Sequence, residues 1–189
     1  GDWDNDGDLD LAVGNYDQPN RVYENTGGTL NPTAVWSSAE SDHTDSVAWG
    51  DWDGDGDLDL VAGNYWGDNR VYENTGGTLN PTAVWSSTES DNTYSVAWGD
   101  WDGDGDLDLA MGNYDQPNRV YENTGGTLNP TAIWSSDESD STWSVAWGDW
   151  DGDGDLDLAA GNYWGDSRVY ENTGGTLNPT AVWSSTGSD

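Results

Sequence analysis

The sequence has no cysteine, lysine or phenylalanine, and it has a single histidine among its 189 residues. Without cysteine the chain can form no disulfide bond, and a zinc site built on thiolates is excluded. No apolar run approaches the roughly 18 residues that a membrane span requires. The four cations are all arginines and face 37 acidic residues, so the formal net charge is −33. A chain this acidic repels nucleic acids and anionic membranes, and we expect neither as a partner.

What the sequence does contain is an internal repeat. The string Asp-Trp-Asp-x-Asp-Gly-Asp-Leu-Asp-Leu begins at Asp2, Asp51, Asp100 and Asp149, which gives a period of 49 residues. A period of this size indicates an array in which each repeat is one small structural unit. We therefore predict a single repeat array over residues 1–189, with repeats starting near residues 1, 50, 99 and 148.

Each repeat has the pattern of four short strands separated by turns rich in glycine, asparagine and proline. In the second repeat these strands are predicted at residues 46–49, 58–65, 70–73 and 82–85. Loops between repeats are predicted at the variable segments 43–45, 92–94 and 141–143. Leucine-rich and ankyrin arrays need helices, and a β-helix needs a shorter period. The predicted fold class is therefore all-β, a β-propeller built from four-stranded blades.

The phase of the repeats predicts an incomplete ring. Ser-Val-Ala-Trp, the predicted first strand, occurs only at residues 46–49, 95–98 and 144–147. The first repeat thus lacks its first strand, and we expect the ring to be completed by another chain or by sequence absent here. We expect a homo-oligomer, in which two chains close an eight-blade ring or a contact that does not close gives a filament.

The repeated string also has the pattern of a cation-binding loop. Carboxylates stand at loop positions 1, 3, 5, 7 and 9, and glycine stands at position 6. Because alternate side chains of a tight loop can point inward, Asp2, Asp4 and Asp6 are expected to converge, with the backbone carbonyl of Asp8 facing the ion. An oxygen-only cage of several carboxylates is what Ca²⁺ prefers. Val13 stands at position 12, where an EF-hand has glutamate, so the EF-hand is excluded.

We expect one Ca²⁺ per repeat, four in all, and the alternative is a solvated acidic turn. Each close carboxylate pair costs about 1 kcal/mol in water and about 4 at an intermediate dielectric, which favours a bound cation. The predicted metal residues are Asp2, Asp4, Asp6, Asp8, Asp10, Asp51, Asp53, Asp55, Asp57, Asp59, Asp100, Asp102, Asp104, Asp106, Asp108, Asp149, Asp151, Asp153, Asp155 and Asp157.

Residues 50–60, Gly-Asp-Trp-Asp-Gly-Asp-Gly-Asp-Leu-Asp-Leu, are followed by Gly63-Asn64. This segment resembles the Asp-x-Asp-x-Asp-Gly-x-x-Asp loop and the small-residue strand of the FG-GAP/VCBS repeat family, the blades of integrin-α-like propellers. The resemblance implies a Ca²⁺ in the hairpin loop between the first two strands of each blade. It also implies ligation by the side chains at positions 1, 3, 5 and 9 and by the carbonyl at position 7. Members of the family serve in adhesion, in sugar binding by lectins and as modules beside enzymes.

Other residues are candidates for binding. Aromatic side chains in or beside variable segments, next to Asn and Asp, are typical of sugar-stacking sites, and we predict ligand contacts by Trp66, Tyr94, Trp143 and Trp164. The four arginines, one per repeat, are expected to form structural ion pairs with a nearby acid such as Glu24. They are Arg21, Arg70, Arg119 and Arg168. His43 has no counterpart in the other repeats, so we expect it in a loop without a function.

No nucleophile–base pair is visible, and nearly identical repeats would give nearly identical sites, so we expect no enzyme. The predicted function is a calcium-binding, extracellular, multivalent binding or adhesion module of lectin-like type, with a carbohydrate or a cell-surface glycoprotein as its partner. The alternative is a structural, self-assembling propeller or fibre subunit whose only small ligand is calcium.

Overall fold

The computed structural model of the protein describes residues 1–186 and shows them as strands, turns and bends without a helix. Blade 1 contains β1 Leu11–Val13, β2 Arg21–Tyr23 and β3 Trp36–Ser37. Blade 2 contains β4 His43–Gly50, β5 Asp59–Tyr65, β6 Arg70–Tyr72 and β7 Trp85–Ser86. Blade 3 contains β8 Thr93–Gly99, β9 Asp108–Asn113, β10 Arg119–Tyr121 and β11 Trp134–Ser135. Blade 4 contains β12 Thr142–Gly148, β13 Asp157–Asn162, β14 Arg168–Tyr170 and β15 Trp183–Ser184.

Each blade is an antiparallel sheet whose strands pair in chain order. The first blade has three strands and the others four, as the missing Ser-Val-Ala-Trp copy predicts. The all-β, propeller-like architecture is therefore confirmed, and the sheets do not close into a complete ring. Within residues 1–186 there is accordingly no helix that could cross a membrane.

The acidic loop joins the first two strands of blades 2, 3 and 4, and in blade 2 the pairing of Gly50 with Asp59 marks where it begins and ends. We call this end of the blades the loop end. The turn between the second and third strands lies at the opposite end of the second strand, which we call the rim end. Seven residues of β5 separate the two ends, about 23 Å at the usual rise of a strand.

Two predicted boundaries are wrong. The segments predicted as loops lie largely in the first strands, because pairing continues past a β-bulge to Thr44 opposite Asn64, whose side chains are also hydrogen-bonded at 2.6 Å. The bulged residues are Asp45, Tyr94 and Trp143, which have no Cα partner across the sheet. The fourth strand is only Trp85–Ser86 rather than residues 82–85. Its early part is held as a turn, in which the Asn80 side-chain oxygen accepts a hydrogen bond from the backbone N–H of Thr82 at 3.1 Å.

The apolar core lies between the blades rather than within any one of them. Three clusters of buried side chains fill the contacts of blades 1 and 2, 2 and 3, and 3 and 4. In the middle contact, Trp85 and Val71 of blade 2 pack with Leu109 and Tyr121 of blade 3. Burial of apolar area against the neighbouring blade is therefore what makes a repeat of this size stable.

Close packing between blades explains why a glycine stands at position 63. A Cβ placed on Gly63 of β5 would lie 2.6 Å from Cγ1 of Val96 and 2.9 Å from Cγ2 of Thr93, both on the next blade. The groups that approach Gly63 most closely are thus two β-branched side chains of the next blade.

Candidate metal loops and aromatic rim

The acidic loops owe their shape to their own carboxylates. In blade 2, Asp51 accepts hydrogen bonds from the backbone N–H groups of Gly54 at 2.9 Å and Gly56 at 3.1 Å. Asp53 accepts from the N–H of Asp55 at 3.2 Å. Gly56 has a φ of 95°, a value that L residues rarely adopt, so the sharp turn depends on glycine at loop position 6.

The aspartate at loop position 9 is the most buried carboxylate of each loop. Asp59 is fully buried, and its two oxygens accept from the N–H of Trp52 at 3.2 Å and of Asn74 at 2.7 Å. Burial raises the pKa of Asp59 to about 7, and the same cause raises the pKa of Asp108 to about 7. Burial and neighbouring carboxylates also raise the pKa of Asp53. Backbone N–H groups donate to these carboxylates, but within residues 1–186 no arginine or histidine forms a salt bridge with a carboxylate of the loops.

Carboxylate oxygens of each loop come within 4.8 Å of one another. In blades 2, 3 and 4 the residues are those at loop positions 1, 3 and 9, and in the first loop they are those at positions 1, 3 and 5. The groups are Asp51, Asp53 and Asp59; Asp100, Asp102 and Asp108; Asp149, Asp151 and Asp157; and Asp2, Asp4 and Asp6.

The other predicted loop residues are placed differently. At position 5, Asp55 accepts from the N–H of Asp57 at 2.9 Å, and Asp104 and Asp153 make the same contact in their loops. At position 7, the side chain of Asp57 turns away and accepts from the N–H of Gly76 at 2.5 Å. The corresponding side chains in the other loops do the same; they are Asp8, Asp106 and Asp155. Asp10 at position 9 of the first loop accepts from the N–H of Trp3 at 3.2 Å.

The residues present fit a hard divalent cation. All the converging atoms are carboxylate oxygens, with no nitrogen or sulfur donor among them. In the first loop Oδ1 of Asp2, one of the converging residues, is buried and has no hydrogen-bond partner within residues 1–186. The acidic clusters could therefore hold a metal ion in each repeat.

In blades 2, 3 and 4, an asparagine that follows the third strand forms a hydrogen bond with the acidic loop of the preceding blade. Asn74 of blade 2 donates from Nδ2 to the backbone oxygen of Trp3, which belongs to the loop of the preceding blade, at 2.6 Å. Asn123 donates in the same way to the oxygen of Trp52, at 2.5 Å. Adjacent loops are thus joined by the same buried hydrogen bond, a contact that the sequence analysis missed. The repetition of asparagine at one position of every repeat was its only signal.

The rim end carries a second group of residues. The structure brings all four predicted ligand-contact residues to this end, where they join five further rings in a continuous series that we call the aromatic rim. The aromatic rim comprises Tyr16, His43, Tyr65, Trp66, Tyr94, Tyr114, Trp143, Tyr163 and Trp164. His43 is therefore not an isolated loop residue: it begins β4, its ring centroid is 4.1 Å from that of Tyr16, and its Nε2 lies 3.3 Å from Asp45.

Three of the four arginines form the predicted structural ion pairs, with acids other than Glu24. Arg70 pairs with Asp42 at 2.5 Å, and Arg119 and Arg168 pair with the equivalent Asp91 and Asp140. The acid lies just before the first strand of the same blade, and the arginine lies in the third strand. The ion pair therefore connects the segment that leads into the blade with the third strand. Arg21 has no ion pair within residues 1–186, and Glu24 is not an ion-pair partner there.

Four consecutive sheets with acidic loops at one end define an array of β-propeller blades. The sequence profile of the FG-GAP-like repeat matches residues 2–62, 51–111 and 100–160. The chain belongs to the FG-GAP-like repeat family, which confirms the resemblance seen in residues 50–60. A chain of this family with this fold is a repeat-based binding or structural module.

No curated protein matches the chain by sequence. Among solved structures, the crystal structure of BBS1N in complex with ARL6DN, soaked with lead, is similar with a TM-score of 0.59 and 11% sequence identity. The alignment covers 94% of this chain and 53% of that chain, so this chain spans about half of that structure. At this level of identity the similarity shows a shared fold alone.

Proposed function

We propose that this chain is a calcium-stabilised, extracellular array of blades that acts as a multivalent binding and adhesion module of lectin-like type. The observation that carries the binding role is the aromatic rim, where rings from all four blades contact one another and five remain exposed. Exposed rings spaced among polar groups, on a rigid sheet framework, are what a stacking ligand requires. An acidic surface and loops for a hard cation suit a calcium-rich exterior.

Calcium is supported by the donor set of the loops. In each loop three carboxylates converge, and the aspartates at position 9 of blades 2 and 3 keep a raised pKa as long as no cation compensates them. A bound Ca²⁺ would be held by the side chains at positions 1, 3, 5 and 9 and by the backbone oxygen at position 7. Its role is to neutralise these charges and so to favour the folded blade.

Calorimetric titration of the metal-stripped chain with Ca²⁺ tests this assignment, with an expected stoichiometry of four. Asp53→Asn removes a converging carboxylate and is expected to lower the stoichiometry or the affinity at one loop. Asp57→Asn is the matched control, because the Asp57 side chain contacts the Gly76 N–H rather than the cluster. Equal effects of the two substitutions, or no heat of binding, would contradict the assignment.

The lectin-like role is tested by a glycan array probed with the full chain in Ca²⁺. Binding that favours particular sugars, and that weakens in Trp66→Ala and Trp164→Ala, is expected. Both side chains are exposed, so their replacement tests binding without removing core contacts. An array without any specific signal would remove the lectin-like role and leave the calcium assignment intact.

A second candidate is a structural, self-assembling subunit, and it is favoured by two uncovered blade faces. Trp150 and Trp183 of blade 4 are 53% and 47% exposed, whereas the equivalent Trp101 and Trp134 are 8% exposed beneath the next blade. On the opposite face of blade 1, Leu30 is exposed, although its equivalents in the other blades are buried. Because the two faces repeat the surfaces that already pack inside the chain, a second copy can pack head to tail on the first.

Sedimentation in Ca²⁺ separates the two candidates. Dimers or larger assemblies that dissociate in Trp183→Glu support self-assembly, since a carboxylate would be buried in the contact. The matched control is Trp66→Glu, which introduces the same charge at the rim end. A monomer at all concentrations would exclude assembly through these faces and leave the binding role as the function.

A further inference from the structure

The aromatic rim is continuous across the boundaries between blades. Ring centroids are 5.4 Å apart for Tyr65 and Tyr94, which belong to blades 2 and 3, and 5.5 Å apart for Tyr94 and Trp143, which belong to blades 3 and 4. Trp143 then stacks on Tyr163 at 4.5 Å with an interplanar angle of 16°. Tyr94 is therefore the centre of one series of rings rather than a member of a separate site in its own repeat.

Local backbone features explain why these side chains gather at the rim. Tyr94 and Trp143 occupy the bulge of the first strand, and a bulge re-aims the side chain that it inserts. Trp66 has a φ of 63° in the turn after β5 and is 72% exposed, although tryptophan at positive φ is unfavourable and burial does not compensate it. A strained, exposed tryptophan is a feature that a binding surface explains better than folding does.

The polar groups beside the rings define the chemistry of the ligand. Asp45, which bonds to His43, and Asp115, which accepts from the hydroxyl of Ser141 at 2.5 Å, border the rim together with Asn92. These groups are acceptors of hydrogen bonds from hydroxyl groups, while the ring faces offer apolar contact. No arginine lies in the rim, and the formal charge of −33 opposes an anionic ligand.

We propose that the aromatic rim is a single continuous surface for one extended segment of an uncharged polysaccharide that crosses the blades. The proposal rests on the lectin-like function proposed above and specifies its ligand class and its stoichiometry. A sugar ring combines an apolar C–H face with hydroxyl donors at its edge, which matches rings bordered by carboxylates and amides. Successive sugar units would contact successive blades, so the repeats act as subsites of one site.

The experiment measures affinity against ligand length. Cello-oligosaccharides and chito-oligosaccharides, from the monosaccharide to the hexasaccharide, are titrated into the full chain in Ca²⁺, with oligogalacturonate as the anionic comparison. We expect affinity to rise steeply with length, with one hexasaccharide per chain and no binding of oligogalacturonate. Tyr94→Ala divides the rim at its centre and is expected to weaken hexasaccharide binding about tenfold, while the disaccharide changes little.

Matched controls keep the result interpretable. Trp150→Ala removes an exposed tryptophan at the loop end and is expected to leave hexasaccharide binding unchanged. Trp66→Ala lies in a turn outside the core, so it reports on the rim even where Tyr94→Ala lowers the stability. A monosaccharide that binds as tightly as the hexasaccharide, with several per chain, would overturn the continuous surface but retain the lectin-like function. Binding of oligogalacturonate would overturn the uncharged ligand class but retain the lectin-like function, whereas failure of every oligosaccharide to bind would overturn both.

Discussion

The buried asparagine that joins adjacent loops gives the sharpest test of how the blades are held together. Nδ2 of Asn123 donates to the backbone oxygen of Trp52 in the preceding loop at 2.5 Å and to that of Leu107 in its own loop at 3.2 Å. Asn123 is fully buried. Asn123→Ala therefore leaves the Trp52 oxygen without its partner from the neighbouring blade.

The first blade supplies the reference substitution. Asn25 occupies the same position as Asn123, and its backbone N–H bonds to Asp10 at 2.8 Å as that of Asn123 bonds to Asp108 at 2.8 Å. Its Nδ2, however, donates only to the oxygen of Leu9, at 3.1 Å. Asn25 is half-buried whereas Asn123 is fully buried, so the difference between Asn123→Ala and Asn25→Ala reports the bond between blades together with the deeper burial of Asn123.

An unsatisfied buried acceptor costs about 1–3 kcal/mol, whereas the costs common to both substitutions cancel in the difference. We expect Asn123→Ala to lower the free energy of unfolding by about 1–3 kcal/mol more than Asn25→Ala does. For a chain of this size each 1 kcal/mol lowers the melting temperature by roughly 2–4 °C. Urea unfolding in saturating Ca²⁺ measures the difference, and equal losses in the two variants would refute the role of this bond.

Three further outcomes are expected. Because the pKa values of Asp59 and Asp108 are raised to about 7, their protonation stabilises the folded metal-free protein below about pH 4, and this contribution is lost as the pH rises through 7. Ca²⁺ should therefore raise the melting temperature, measured against EDTA, more at pH 8 than at pH 5, and a gain independent of pH would contradict the raised pKa values. Gly112→Ala would bring a Cβ within 2.8 Å of two side chains of blade 4 and should lower the free energy of unfolding, measured in urea, by about 1–3 kcal/mol. In the control Gly161→Ala the nearest neighbour of the added Cβ is 3.7 Å away, so the loss should be less than half as large. Similar losses in the two variants would contradict the packing argument. Arg119→Gln removes the cation paired with the buried carboxylate of Asp91, to which Gln116 still donates at 2.9 Å, and should lower the free energy of unfolding by about 2 kcal/mol or more. Unchanged stability would show that the ion pair is structurally neutral.

The period of the sequence predicted the blades because each repeat must bury its faces against its neighbours. The missing copy of Ser-Val-Ala-Trp predicted the three-stranded first blade in the same way. The strand that begins at His43 was missed, since pairing beyond a bulge depends on side chains such as Thr44 and Asn64 rather than on alternation. Residues 82–84 were predicted as strand from their composition, but the turn at Asn80 takes precedence.

The candidate sites were predictable to different degrees. Spacing alone indicated the carboxylate clusters, because all their members lie within nine residues of one another. It could not show that the Asp57 side chain leaves the cluster for the turn at Gly76, a contact between distant parts of the blade. The aromatic rim was predictable only as four candidates. Tyr65 and Tyr114 join it through contacts between blades 2 and 3, and Tyr163 joins it by stacking on Trp143 across the sheet of blade 4.

The two ends of the blades differ in how much the repeats vary within this one chain. At the loop end every repeat keeps the same aspartates and the same asparagine, because each loop contacts the next one and a change in one would disturb its neighbour. At the rim end the bulge residue is Asp45, Tyr94 or Trp143, and the turn after the second strand alternates between two sequences. Those rim side chains are half-buried or exposed, so they can change without loss of the core. The constant residues of the loop end hold the blades together, and the residues that vary lie at the rim end. This arrangement is expected of a binding module in which different residues determine specificity and stability.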